Sequence, residues 1–239
     1  MNFARAFLAV GLVLWLAGCT TTRHVADTGF KPPRGNYKLM VMQPDISVGV
    51  LTAGGAFEFR EDWTQQATQN VVKALSKQQY GRGGQTKVAK TREETGADAT
   101  LVADLVWLHT AVGQAVRLHK FGFVPLPTKQ NRFDWTLGDT AVKFGAETRY
   151  DYALFLHATD SFSSGGRVAL QIVGALAGVS ATGGSQTAFA SLVDLKTGQV
   201  VWFNTLFSGV GDIRTPAGAE KMVAELLESM QPAKTSKGP

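Results

Sequence analysis

The sequence predicts a single α/β or α+β domain, with a mixed β-sheet covered by helices and a C-terminal β-hairpin followed by an amphipathic helix. Three observations carry this. Short apolar runs such as YKLMVMQP (Tyr37 to Pro44) and YDYALFLHAT (Tyr150 to Thr159) alternate with segments of helical periodicity. Two β-rich runs, Gln186 to Leu195 and Val200 to Phe207, are joined by only Lys196-Thr197-Gly198-Gln199, a strong hairpin signal. Finally, 44% hydrophobic and 10% aromatic residues suffice for a packed core, and no internal repeat is visible.

The first residues read as a targeting signal. Arg5 is the only charge before an uncharged run from Ala6 to Ala17, which is too short for the roughly 20 apolar residues that cross a bilayer. The one cysteine of the 239 residues, Cys19, follows directly in Leu16-Ala17-Gly18-Cys19. This tetrapeptide resembles the lipobox of bacterial lipoproteins, in which the chain is cut before the cysteine and the thiol and new amino group are acylated. The resemblance implies that residues 1–18 are removed, that Cys19 is the lipid attachment, and that the membrane is a partner through this anchor. Thr20, where an Asp would signal inner-membrane retention, implies the outer membrane, facing the periplasm. With Cys19 acylated no thiol remains, so disulfide scaffolds and cysteine metal sites are excluded.

The polar stretch TTTRHVADTGFKPPRGN, with Pro32-Pro33 and Gly35 and no periodicity, reads as the rest of a flexible tether over residues 19–36. Extended, it would reach about 55 to 60 Å and hold the body clear of the membrane. The globular part is expected over 37–230 and a frayed tail over 231–239.

Within the body the first strand is Tyr37 to Pro44, stopped by the proline. Ile46 to Thr52 and Ala56 to Phe59 form a strand or hairpin around Gly54-Gly55. Glu61 to Gln79 is a helix whose inner face is Trp63, Ala67, Val71, Ala74 and Leu75. Gly81 to Gly84 ends it, and Lys87 to Ala89 is a brief strand. Ala97 to His119 carries Leu101, Leu105, Leu108, Val112 and Val116 near the helical period and is read as a helix rather than a buried strand. A loop after Pro125 and Pro127 precedes a short helix, about Asp139 to Thr148. Pro216 to Met230 closes the fold with Met222, Val223, Leu226, Leu227 and Met230 inward, Thr215 as N-cap and Pro216 at the first helical position.

Arg167 to Val179, RVALQIVGALAGV, is apolar nearly all round, and such a helix must be covered. The favoured reading is a crossover helix buried against the sheet. The other is a self-association or partner surface in which Gly174 and Gly178, a small-x-x-x-small pair, permit close backbone approach. At 13 residues, about 20 Å, the segment is too short to span a membrane.

The hairpin LVDLKTGQVVW (Leu192 to Trp202), with the strand and helix order, resembles the periplasmic α/β domains of envelope lipoproteins, including CsgG-like curli-secretion and TolB N-terminal-like families and several uncharacterised lipoprotein families. That resemblance implies a non-enzymatic assembly or scaffold role, with envelope proteins or further copies as partners.

No catalytic constellation is visible. Lys196-Thr197-Gly198 matches the KTG element of penicillin-binding enzymes, but the S-x-x-K nucleophile is absent and the triplet is what a hairpin turn would use. Gly178-Val179-Ser180-Ala181-Thr182 fails as a nucleophile elbow at its last position. On a helix His109 and His119 point about 80° apart, and on a strand His157 and Asp160 take opposite faces, so no metal or acid-base site is expected and no cofactor. Six basic residues between Lys73 and Arg92, with no acid among them, read as a solvated face that could meet anionic lipid or cell-wall polymer. Net charge +5 without interleaved aromatics or a reader motif excludes nucleic acid. The leading expectation is a lipid-anchored, periplasm-facing protein with a binding, scaffold or assembly role. The alternatives are a hydrolase of cell-wall or lipid substrates and a small-ligand carrier.

Overall fold

The computed structural model describes residues 20–26, 35–78, 80, 84–122, 124–130, 132–178 and 182–230. Its strands are β1 (Thr20–Ala26), β2 (Lys38–Val41), β3 (Asp45–Leu51), β4 (Phe57–Phe59), β5 (Gln85–Val88), β6 (Tyr152–Ser163), β7 (Gln186–Asp194) and β8 (Val200–Ser208). The α-helices are α1 (Glu61–Lys77), α2 (Ala99–Val116), α3 (Gly138–Thr148), α4 (Gly165–Leu176) and α5 (Pro216–Leu227). All strands belong to one mixed sheet ordered β1-β8-β7-β6-β2-β5, the fold class expected from the sequence.

β2 and β3 run in succession along the same side of β6, both parallel to it, and β4 folds back on β3. Val41 pairs with Leu154 and Asp45 with His157, so one extra residue is accommodated at Met42-Gln43-Pro44. Pro44 has no N–H to give the ladder, which is why the strand breaks there.

Alternate residues of the sheet enter two cores. On one face Leu39, Val41, Leu154, Leu156 and Trp202 pack under α1 and α5; on the other Met40, Phe155, Phe189 and Phe203 pack under α2 and α3. The expected inner face of α1 is the observed one, Trp63 being half-buried and Ala67, Val71, Ala74 and Leu75 buried. On α2 the buried line is Val102, Leu105, Val106, His109, Gly113 and Val116, turned slightly from the predicted stripe. The reason is Gly113: a Cβ there would meet the Phe189 ring at 2.0 Å, so the helix approaches the sheet along its glycine. Asp98 caps α2 by accepting from the N–H groups of Thr100 and Leu101, and Thr215 caps α5 by accepting from Gly218 as predicted. With its terminal π turn, Ala99–Phe121 is apolar and long enough for a membrane span by length and composition, but its inner line is a layer of the core.

Lys196-Thr197-Gly198 forms the β7–β8 turn. The Asp194 carboxylate accepts from the N–H groups of Lys196 and Thr197, and Gly198 takes the left-handed φ of +72°.

Two expectations are corrected. Thr20–Ala26 is not tether: it is an edge strand, antiparallel to β8 from Thr20↔Ser208 to Ala26↔Trp202. Edge pairing runs through backbone hydrogen bonds, which a polar, unpatterned sequence can supply. Second, α4 is not a crossover helix buried on the sheet. It connects two antiparallel strands, β6 and β7, and none of its residues is buried. Gly178, just beyond it, has φ +72° and open space around its Cα. Gly178→Leu is therefore expected to cost about 1–2 kcal/mol through backbone strain and not through overpacking, read as a small drop in Tm. The expected signal segment 1–18, the expected lipid attachment Cys19 and the expected tail 231–239 lie outside the described residues.

Candidate functional site

In the sequence the histidines stand singly; folding pairs two of them with partners far along the chain. Asp45 and His157 are register neighbours on β3 and β6, and the Asp45 carboxylate accepts from His157 Nδ1 at 2.9 Å and from the Thr110 hydroxyl at 3.0 Å. The His157 hydrogen bond is the main force holding the Asp45 carboxyl below its ordinary range, against the opposing effect of burial. Above them, His109 of α2 bonds Ser191 of β7, Nε2 to Oγ 2.7 Å, and stacks on Phe155 with ring centroids 4.9 Å apart.

Ser191 beside His109 has the residue types of a nucleophile and its base, but not the circumstances. Both are 2% exposed, so no substrate reaches them. Burial pushes the His109 pKa down to about 3, leaving a weak base. The carboxylate that would orient it, Asp45, is committed to His157. The pair is an internal polar bond that satisfies two buried groups. His119 lies apart, its ring bonded to the Val124 carbonyl, and Asp160 is on the opposite sheet face from His157, as the strand period requires. Among the described residues no group of three histidine or carboxylate side chains is placed to hold a metal ion.

Asp160 has a structural role that its spacing from His157 does not reveal. It is 1% exposed and its Oδ2 accepts from the Ile213 N–H at 3.1 Å and from Gln186 Nε2 at 3.3 Å. Burial, partly offset by those bonds, raises its pKa to about 6. It borders a cavity of about 190 Å³ at the end of the sheet, walled by Ser163, Gly184 and Val210.

An open groove of about 970 Å³ runs along α1, closed on its far side by Pro216 and Glu220 of α5. Gln65, Thr68, Gln69 and Ser76 line it together with Lys73, Lys77 and Lys90. Three of the six clustered basic residues border this groove; Lys77 is bonded to Glu220, while Lys73 and Lys90 are exposed, in keeping with a solvated face. Amides, hydroxyls and ammonium groups share this open trough with the apolar surface of Val72 and Pro216, and its two exposed lysines would attract a ligand that carries negative charge.

The two glycines singled out for an interface are on or beside α4. Gly174 is half-buried on the side facing the body, Gly178 is exposed past the helix end, so they do not form a shared outward stripe. The outward residues are instead Val168, Leu170, Ile172, Val173 and Leu176, between 43% and 86% exposed.

Fold and groove define a mixed α/β domain with an open trough along one helix. No family model matches the chain, and no curated protein matches it. Solved structures do. The chain is similar to the PelC dodecamer from Paraburkholderia phytofirmans, at 13% identity and TM-score 0.43 over 90% of this chain and 100% of that one. A single-substitution form of that dodecamer gives 13% and 0.41 over 89% and 99%. The LpoB C-terminal domain from Salmonella enterica gives 13% and 0.26 over 70% and 78%. Superposition at this level does not define a fold family.

Proposed function

We propose that this chain is a lipid-anchored protein of the bacterial envelope, held at the outer membrane and facing the periplasm, that binds other envelope components and performs no chemistry of its own. The observation that carries the binding role is the groove along α1, with its lysines and uncharged hydrogen-bonding side chains. The anchor rests on Leu16-Ala17-Gly18-Cys19. Two or more acyl chains, at about 0.8 kcal/mol per buried CH₂, make such attachment stable.

Two measurements test this. Wild-type protein should remain with membranes after a high-salt wash and Cys19→Ala should pass to the soluble fraction; a Cys19→Ala protein that stays membrane-bound sinks the anchor. Purification from membranes followed by mass spectrometry should recover one defined component, protein or glycan, at stoichiometric level, and Lys73→Glu with Lys90→Glu should lose it. A clean monomer that turns over an envelope substrate overturns the binding role.

A further inference from the structure

α4 is built inside out. Arg167, Gln171 and Gly174, at i, i+4 and i+7, are the half-buried residues that face the body, while the apolar side chains face away. The orientation is fixed by Arg167, which donates from Nε to the Thr182 carbonyl at 2.9 Å and from Nη1 to the Ala53 carbonyl at 3.3 Å. Ser164 caps the helix by accepting from the Arg167 N–H. In water this arrangement leaves Ile172, Val173 and Leu176 at 60%, 64% and 86% exposure on one short helix.

The position of the anchor says what covers it. Thr20 pairs with Ser208, Ser208 with Gln186, and Gln186 with Asp160, so the first residue of β1 stands in the row that closes one end of the sheet. α4 leaves from that end, two residues beyond the last residue of β6, and the chain returns from it into β7 at Gln186. The β3–β4 hairpin reaches the same end, since Leu51 pairs with Ser163, and it brings exposed Phe57. Val210, two residues past Ser208 and 49% exposed, is there too. Cys19 is bonded to Thr20, about 3.8 Å away from Cα to Cα. No tether intervenes between the lipidation position and the folded sheet.

We infer that α4 lies in the surface of the bilayer that receives the Cys19 lipid, with Val168, Ile172, Val173 and Leu176 at the headgroup–acyl boundary and the β7–β8 turn pointing away into the periplasm. This rests on the lipid-anchor reading of Cys19. The 12 residues of α4 extend about 18 Å, so the helix lies on the membrane and does not cross it. With β1 rising about 23 Å from the anchored row, the opposite end of the body stands clear of the lipid.

Acylation of Cys19 consumes the only native thiol, so a cysteine introduced at Ile172 or at Thr197, in the β7–β8 turn, labels uniquely. Full-length lipidated protein carrying Ile172→Cys or Thr197→Cys, labelled with an environment-sensitive fluorophore, would be reconstituted into vesicles of phosphatidylethanolamine and phosphatidylglycerol containing nitroxide-labelled lipid. The label at 172 should be quenched several-fold and the label at 197 left bright. Vesicle-bound protein with neither label quenched overturns the membrane placement of α4 while leaving the anchor intact. Protein that does not associate with the vesicles at all removes the anchor and this inference together. Label–label energy transfer at 172 without lipid quenching assigns α4 to a second copy of the chain and overturns the inference.

Discussion

Phe189→Ala is expected to cost about 3–5 kcal/mol of stability, the largest effect of any single truncation proposed for this fold. Phe189 is fully buried at the centre of the α2 face of the sheet. Its ring stacks on His157 at 4.9 Å and Phe203 at 5.7 Å between centroids, tilts against His109 at 5.3 Å, and lies against the glycine that lets α2 approach. Truncation removes the transfer free energy of the ring and leaves a void that α2, held at Gly113, cannot close by a side-chain shift. It also strips the apolar wall from His109, whose depressed pKa is caused first by burial. The histidine should therefore titrate closer to its ordinary range, visible as a shift of its ring resonances with pH. Urea melts of wild type and variant measure the first effect. A loss below about 1 kcal/mol would show that Phe189 is not the keystone of this core.

The parts of the fold that are legible in the sequence are those whose signal is local. Asp194 and Gly198 in the β7–β8 turn, and Thr215 with Pro216 at the start of α5, specify their geometry within four residues. The apolar period of α1 does the same for its buried face. β1 escapes such reading because Thr-Thr-Thr-Arg-His-Val-Ala has no alternation; its place is set by backbone pairing to β8, which side-chain pattern does not encode. α4 is recognisable as a helix that needs cover, but apolar residues around most of its circumference say nothing of which side meets the body. That choice is made by Arg167 reaching the Ala53 and Thr182 carbonyls, contacts no periodicity contains. At the site, the basic cluster is visible as charge, whereas its placement along one groove depends on α5 arriving beside α1 from the far end of the chain. Asp45 and His157 are separated by 112 residues and meet only because β3 pairs with β6.

Asp160→Asn is expected to make the protein acid-labile between pH 6 and 4, a window in which wild type changes little from these groups. Two buried residues drive opposite slopes. Asp160 titrates at about 6 in the folded state, above an ordinary carboxyl near 3.8, so the folded state holds a proton there that the unfolded state has released. Its contribution to stability grows as pH falls through 6 and saturates below about 4. His109 titrates at about 3 when folded, below its ordinary 6.5, so on acidification the unfolded state takes up a proton that the folded state refuses. Stability is then lost at about 1.4 kcal/mol per pH unit from 6.5 downward. Between pH 6 and 4 the two slopes offset. Asparagine removes the first and leaves the second, so the variant should lose about 3 kcal/mol over those two pH units. At pH 7 it should be no less stable than wild type, because the amide oxygen can still accept from Gln186 and Ile213 without the cost of a buried charge. Asp45, with its carboxyl held below the ordinary range by His157, loses its stabilising interaction only at lower pH and does not enter this window. Chemical denaturation at pH 4, 5, 6 and 7 on both proteins reads the difference directly. Parallel stability curves for wild type and Asp160→Asn would show that Asp160 is ionised in the folded state down to its ordinary pKa, and that burial at the end of the sheet does not hold its proton.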